Sequence, residues 1–312
     1  MSHRYTPVEI MPAKGQIETS SCIWSAGSCF SDHLGARLQL SLFDTLANPF
    51  GILYNPYSIG KSVAVSLGIE DFEADDFSQR GEVHFHYGCH SQLSALTNDE
   101  LLSNITEAVK NSRKQLSVAS HVVITLGTSI VHEQKSNGRI VANCHKMPST
   151  DFTKRMLEID ESYLFLARQL EQLSDKQIIL TVSPVRHTRE GMMQNQRSKA
   201  RLIEVVHRLV DSFDHVSYFP AYEIILDELR DYRYFTEDLI HPTSEAVDIV
   251  WKKFQQIHMS ESARRKVEDV GHLRRAMEHR PVHPQSLEHQ KFLDAVERQK
   301  QQLIAKYPEI QI

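Results

Sequence analysis

Residues 21–38 read Ser21-Cys22-Ile23-Trp24-Ser25-Ala26-Gly27-Ser28-Cys29-Phe30-Ser31-Asp32-His33-Leu34-Gly35-Ala36-Arg37-Leu38. A short apolar run, Cys22-Ile23-Trp24, passes through Ala26-Gly27 into a segment where Phe30, Leu34, Leu38 and Leu42 recur every fourth residue. That spacing marks one apolar face of a helix, so the segment predicts strand, tight glycine turn, helix. Three later runs are equally short and end at a breaker. They are Val122-Val123-Ile124-Thr125-Leu126 before Gly127, Ile178-Ile179-Leu180-Thr181-Val182 before Ser183-Pro184, and Val216-Ser217-Tyr218-Phe219 before Pro220. Such runs are expected of strands buried in a parallel sheet. Helical patterns separate them: one from Asn98 through Leu101, Ile105, Val109 and Leu116, one over 152–173, one over 198–213, and a closing one over 244–257. Strands alternating with helices make βαβ units, so the predicted fold is α/β, with helices on both faces of the sheet.

Past about residue 260 the composition changes to alternating Arg, Lys, Glu and Gln with sparse Leu, Val and Met, broken at Arg280-Pro281-Val282-His283-Pro284. The chain therefore divides into an α/β domain, residues 1–258, and a C-terminal helical extension, residues 259–312, with its second helix over 286–305. The charge patterning suits the extension to packing or to homo-oligomer formation.

The 312 residues carry a formal net charge of −5, which does not point to a nucleic-acid partner or a membrane surface. No apolar run is long enough to span a membrane, and the opening residues show no leader pattern. Cys22, Cys29, Cys89 and Cys144 are scattered without paired spacing, which favours free thiols in a cytoplasmic setting over disulfides.

Reactive groups of α/β sheets collect where strands end and helices begin. The first such exit offers Ser28 and Cys29. A cysteine at a helix N-terminus is expected to have a lowered thiol pKa, whereas a serine there needs a base and also serves as an ordinary helix cap. The last exit offers Asp238-Leu239-Ile240-His241-Pro242, in which an Asp three residues before a His can reach its second ring nitrogen and fix its tautomer.

The chain resembles the GSCFA family. Gly27-Ser28-Cys29-Phe30-Ser31 departs from the family's motif only in its final letter. The likeness continues through Asn48-Pro49-Phe50-Gly51, Tyr54-Asn55-Pro56, Thr125-Leu126-Gly127-Thr128, Asn143-Cys144-His145-Lys146, Thr181-Val182-Ser183-Pro184-Val185-Arg186-His187 and Asp238-Leu239-Ile240-His241-Pro242. The family is grouped with SGNH/GDSL hydrolases. The resemblance implies a flavodoxin-like sheet and esterase or acyltransferase chemistry on an ester-linked group, acetyl or longer, carried by a small molecule, glycan or lipid. No cofactor is implied. It also implies Cys29, or Ser28, as nucleophile, His241 as base and Asp238 as its orienter. Gly51 takes the place of an oxyanion donor. The asparagine usual after the third block's glycine is replaced, because Gly127-Thr128-Ser129 puts a serine there; Asn143 is a candidate substitute. His90, His145, Arg186 and His187 are candidates to line the pocket.

Two other readings compete. His84-Phe85-His86-Tyr87-Gly88-Cys89-His90 alternates histidines on a strand and suggests a metal-binding hydrolase built on His84, His86 and His90. A protein that binds acyl ligands on the same fold without turning them over is the second.

Overall fold

The computed structural model describes residues 6–310; the start of the segment read for a leader, residues 1–5, lies outside them. Among the described residues the strands in chain order are β1 (Cys22–Gly27), β2 (Asp44–Ala47), β3 (Phe77–Arg80), β4 (Val83–His86), β5 (His121–Leu126), β6 (Ile130–Gln134), β7 (Ile140–Val141), β8 (Phe152–Met156), β9 (Gln177–Val182) and β10 (Val216–Phe219). The helices are α1 (Cys29–Leu40), α2 (Pro56–Leu67), α3 (Asn98–Val118), α4 (Ile159–Glu171), α5 (Met192–Ser212), the single turn α6 (Ala221–Glu223), α7 (Ser244–His258), α8 (Glu261–Met277) and α9 (Leu287–Lys306).

Five strands form the central sheet in the order β10-β9-β5-β1-β2, every pairing parallel. Chain order reverses between β1 and β5, the arrangement of the flavodoxin-like sheet, whose ligands sit at that reversal outside the carboxyl ends of the strands. Period-2 alternation sorts the side chains into two layers. Trp24, Ala26, Val122, Ile124, Leu126, Ile178, Leu180 and Val182 pack against apolar residues of α2, α3, α4 and α5. Ile23, Val123, Ile179 and Phe219 face the opposite way, onto Phe30, Leu34 and Leu38 of α1 and Val250, Trp251 and Phe254 of α7.

The helices start where their sequences allow. Asn55 caps α2, accepting from the Ser58 N–H at 2.8 Å, and Pro56 occupies a first-turn position where no N–H is needed. Gly68 ends that helix in the left-handed conformation, φ 75°. Two small sheets are inserted between the main strands, an antiparallel β3-β4 hairpin and a β7-β6-β8 triplet. The triplet corrects the reading of 152–173 as one helix. Phe152–Met156 pairs antiparallel with β6, and α4 begins only at Ile159, after the Glu161 carboxylate has folded back onto the Glu158 N–H. Leu42 likewise falls outside the helix its spacing suggested, two residues past the end of α1 with φ 60°. There it packs with Val270, Leu273, Leu303, Tyr307 and Ile310, the apolar seam between α8 and α9.

Candidate active site

The exits of β2, β1, β5 and β9 lie side by side along one edge of the sheet. Gly27 ends β1 opposite Thr125, and a Cβ there would come within 2.2 Å of the Thr125 carbonyl oxygen, so only glycine lets the two strands approach. Ser28 follows as the N-cap of α1. Its N–H donates to the Thr125 carbonyl at 3.1 Å, its hydroxyl accepts from the Phe30 N–H, and it is 1 % exposed. Cys29, the first helical residue, is only partly buried.

The thiol pKa runs against the expectation from the helix dipole. Burial pushes it up, the negative charge of Asp32 adds to the rise, and Lys199 and the first N–H groups of α1 only oppose it. Loss of hydration outweighs the dipole here, so Cys29 rests as a thiol and needs a base to react.

Asn48, at the exit of β2, links the elements around Cys29. Its Oδ1 accepts from the Gly27 N–H at 2.8 Å and its Nδ2 donates to Asp32 at 2.5 Å. It sits at φ 45°, which asparagine tolerates better than most residues. The Gly51 N–H donates back to the Asn48 carbonyl at 2.8 Å, so it is committed to the turn rather than offered as an oxyanion donor. Gly51 itself lies against His90, whose Cβ leaves no room for another at that position.

At the exit of β5 the N–H groups of Gly127 and Thr128 both donate to the Tyr54 carbonyl, at 2.7 and 3.0 Å. Ser129 does not occupy an oxyanion position. It is fully buried, its N–H donates to Ser198 Oγ at 2.7 Å, and its hydroxyl turns to the same residue. The cause is the close approach of α5, which draws the polar groups of 128–129 into the interior. Asn143 is held by its Oδ1, which accepts from the His145 N–H at 2.8 Å. His145 is a buried structural pin stacked on Phe85, with ring centroids 4.2 Å apart, and Nε2 donates to the carbonyls of His86 and Cys89.

The exit of β9 brings His187 toward the centre. Its ring meets Tyr54 edge to face at 5.2 Å, and a Cβ on Gly127 would lie 3.3 Å from its Nε2. Burial, with help from Lys199 and His241, lowers its pKa to about 4, so its imidazole is neutral at ordinary pH. Arg186 points the other way. Its guanidinium covers the Phe235 ring at 4.6 Å and donates to the Leu239 carbonyl at 3.1 Å, fastening the segment that carries the acid–base pair. Nearby, Asp231 and Arg233 make only a loose local pair at 3.8 Å.

Within the fastened segment, Asp238 Oδ2 accepts from His241 Nδ1 at 2.6 Å. Oδ1 of the same carboxylate accepts from Thr236 Oγ1 at 2.7 Å and from the N–H groups of Ile240 and His241 at 2.8 and 3.0 Å. The donors of His241, backbone first and then ring, with those of Ile240 and Thr236, hold this carboxyl well below the usual range. The arrangement directs the Nδ1 proton toward Asp238 and leaves Nε2 to take a proton from elsewhere.

The metal reading is corrected. His86 Nδ1 accepts from the Gly88 N–H and its Nε2 faces the Glu73 carbonyl, both at 2.9 Å, so both ring nitrogens are occupied. Among the described residues no group of three or more His, Cys, Asp or Glu is placed to hold a metal ion.

Lys199, Asn48, Asp32 and Tyr54 are site residues that the sequence reading left without a role. Asn48 and Tyr54 stand in the quoted motifs, and Lys199 is a lysine on the buried stripe of α5 with Asn195, Ser198, Leu202 and Val206.

Among the described residues no helix is long and apolar enough to cross a membrane. Neither a curated protein nor a solved structure matches the chain. A family model described as the C-terminal domain of GSCFA domain proteins matches residues 270–312, the last part of the helical extension. The GSCFA family model itself matches residues 22–254, from the start of β1 into α7, and the chain belongs to the GSCFA family.

Proposed function

We propose that this protein is an esterase or acyltransferase of the SGNH type that forms a thioester through Cys29. The observation that carries the reading is the Asp238–His241 pair, bonded at 2.6 Å and fastened by Arg186 in the loop before α7, a helix that packs on the same face of the sheet as α1, which Cys29 opens. Ser28 is the weaker nucleophile candidate, since its hydroxyl is buried and engaged as a cap.

In this scheme His241 Nε2 accepts the thiol proton as Sγ attacks the acyl carbonyl carbon, with Asp238 stabilising the imidazolium. The tetrahedral oxyanion is met by the first N–H groups of α1, where the helix dipole favours negative charge. Collapse breaks the ester bond, and the leaving oxygen takes the proton from His241. Water or an acceptor hydroxyl, deprotonated by His241, then attacks the thioester, releasing acid or new ester and restoring the thiol. The substrate is an acyl ester of a small molecule, glycan or lipid.

Intact-mass analysis and peptide mapping after brief exposure to an activated acyl ester test this. An adduct on Cys29, absent in Cys29→Ala and much slower to form in His241→Ala, is the expected result. An adduct on Ser28 moves the nucleophile by one residue, and an adduct on neither residue refutes the scheme. A second reading, acyl-ligand binding without turnover, draws on the commitment of Gly51 and Ser129 away from the oxyanion, because losing one such donor costs about 10²–10³ in rate. Saturable binding of an acyl ester with no adduct and no hydrolysis would select it.

A further inference from the structure

Lys199 is an anomaly in this fold. It is 1 % exposed, in the middle of α5, on a helical stripe otherwise made of small polar and aliphatic side chains. A buried ammonium is costly unless it is well bonded, and solitary lysines are seldom found in cores. Its Nζ donates to the Gly127 carbonyl and the Ser183 carbonyl, both at 2.6 Å. Those two carbonyls lie just past the ends of β5 and β9, so one side chain ties together the two strand exits beside Cys29.

Both partners are neutral. Among the described residues, the one anion whose charge acts on Lys199 is the Cys29 thiolate, and the effect is mutual, since Lys199 in turn favours the ionised thiol. The same charge helps to keep His187 neutral. A carbonyl-bonded lysine with no carboxylate partner holds a position and supplies a charge that appears where an anion forms nearby.

We propose that Lys199 is the buried counter-charge of the site: from beneath the β5 and β9 exits it fixes the Gly127 and Ser183 carbonyls and stabilises the thiolate formed at Cys29. It is a positioning residue, and the inference rests on the reading of Cys29 as the reactive group. Lys199 offsets part of the rise that burial and Asp32 impose on the thiol. Burial lowers the lysine pKa and the Cys29 thiolate opposes that fall, leaving it at about 7, so the cation is held more firmly when the thiolate is present. The charged and titratable groups facing Cys29 are Asp32, Lys199 and Tyr54, with His241 as its base in the proposed scheme; those coupled to Lys199 are Cys29 and His187, and His187 also feels His241.

The test is the rate of Cys29 alkylation by iodoacetamide as a function of pH. It is followed by peptide mapping in the wild type, in Lys199→Met, and in Lys199→Gln, which keeps a donor but loses the charge. In both variants the profile should move up by about one pH unit or more, with alkylation near neutrality slowed roughly tenfold, the effect of removing one nearby opposite charge. A purely structural lysine would leave the glutamine profile where the wild type has it, and that result overturns the proposal.

A second measurement needs no change at Lys199. In protein labelled with ¹³C at lysine Cε, the Lys199 titration midpoint should fall in Cys29→Ala relative to wild type, because coupled sites shift each other. An unchanged midpoint also overturns the proposal. Acylation of Cys29 with alkylation indifferent to Lys199 would sink this inference alone. Alkylation that depends on Lys199, with no acylation anywhere, would support it while sinking the proposed enzyme.

Discussion

Replacing Asp238 by Asn separates the two tasks of that carboxylate. Oδ1 takes three bonds from the loop, from Thr236 Oγ1, Ile240 N–H and His241 N–H, and Oδ2 takes one from the His241 ring. An asparagine keeps an acceptor oxygen for the three loop bonds but presents an NH₂ to His241 Nδ1. The ring must then accept at Nδ1 and carry its proton on Nε2, so it can no longer act as a base. The fold should stay intact while turnover of an activated acyl ester falls by a large factor, roughly 10⁴ if the pair behaves like the Asp–His pair of a serine protease. Asp238→Ala should lose as much activity and also loosen the loop, since all four bonds go. The assay is initial-rate turnover of a chromogenic ester, run beside a thermal melt of each variant. An Asp238→Asn protein within about threefold of wild-type turnover, with a wild-type melt, would refute the assignment of His241 as an oriented base, because the tautomer argument admits no such result.

Three further outcomes follow from the geometry. Ser198→Ala removes the acceptor of the Ser129 N–H and a partner of the Thr128 and Ser129 hydroxyls, and should lower stability by about 1–3 kcal/mol in urea unfolding. Leu303→Ala opens a cavity in the α8–α9 seam beside Val270 and Leu273 and should cost about 2–5 kcal/mol, seen as earlier release of the C-terminal helices to proteolysis. His145, His187 and His258 are held neutral by burial, with pKa values near 4, 4 and 3 against an ordinary 6.5. Because the unfolded chain binds their protons first, this contribution is complete above about pH 6.5 and is lost as pH falls toward 4. These three alone should make the urea midpoint drop through that window with a slope approaching three protons, and a flat midpoint between pH 6.5 and 5 would contradict it.

Much of the framework is set by local pattern. The apolar runs of β5, β9 and β10 and the fourfold spacing of Phe30, Leu34 and Leu38 depend only on side chains near in sequence, and they define strand, helix and the parallel α/β arrangement before any contact is known. The Asp238–His241 bond is local in the same sense, since three residues separate the partners. Phe152–Met156 misleads for the complementary reason. Its apolar residues suit a helix as well as a strand, and only pairing with β6 decides between them.

The site required the tertiary fold. Gly51 and Ser129 were assigned by their place in motifs, but the partners that remove them from the pocket, the Asn48 carbonyl and Ser198 Oγ, are set by how the β2 exit turns and how α5 docks. The direction of the Cys29 shift was likewise beyond reach of the sequence. A helix N-terminus is legible in residues 28–31, whereas burial and the nearness of Lys199, 170 positions along the chain, come from packing. Apolar periodicity is a property of neighbours along the chain and can be read from them. Desolvation and long-range charge are properties of neighbours in space, and those exist only once the sheet has closed its two layers.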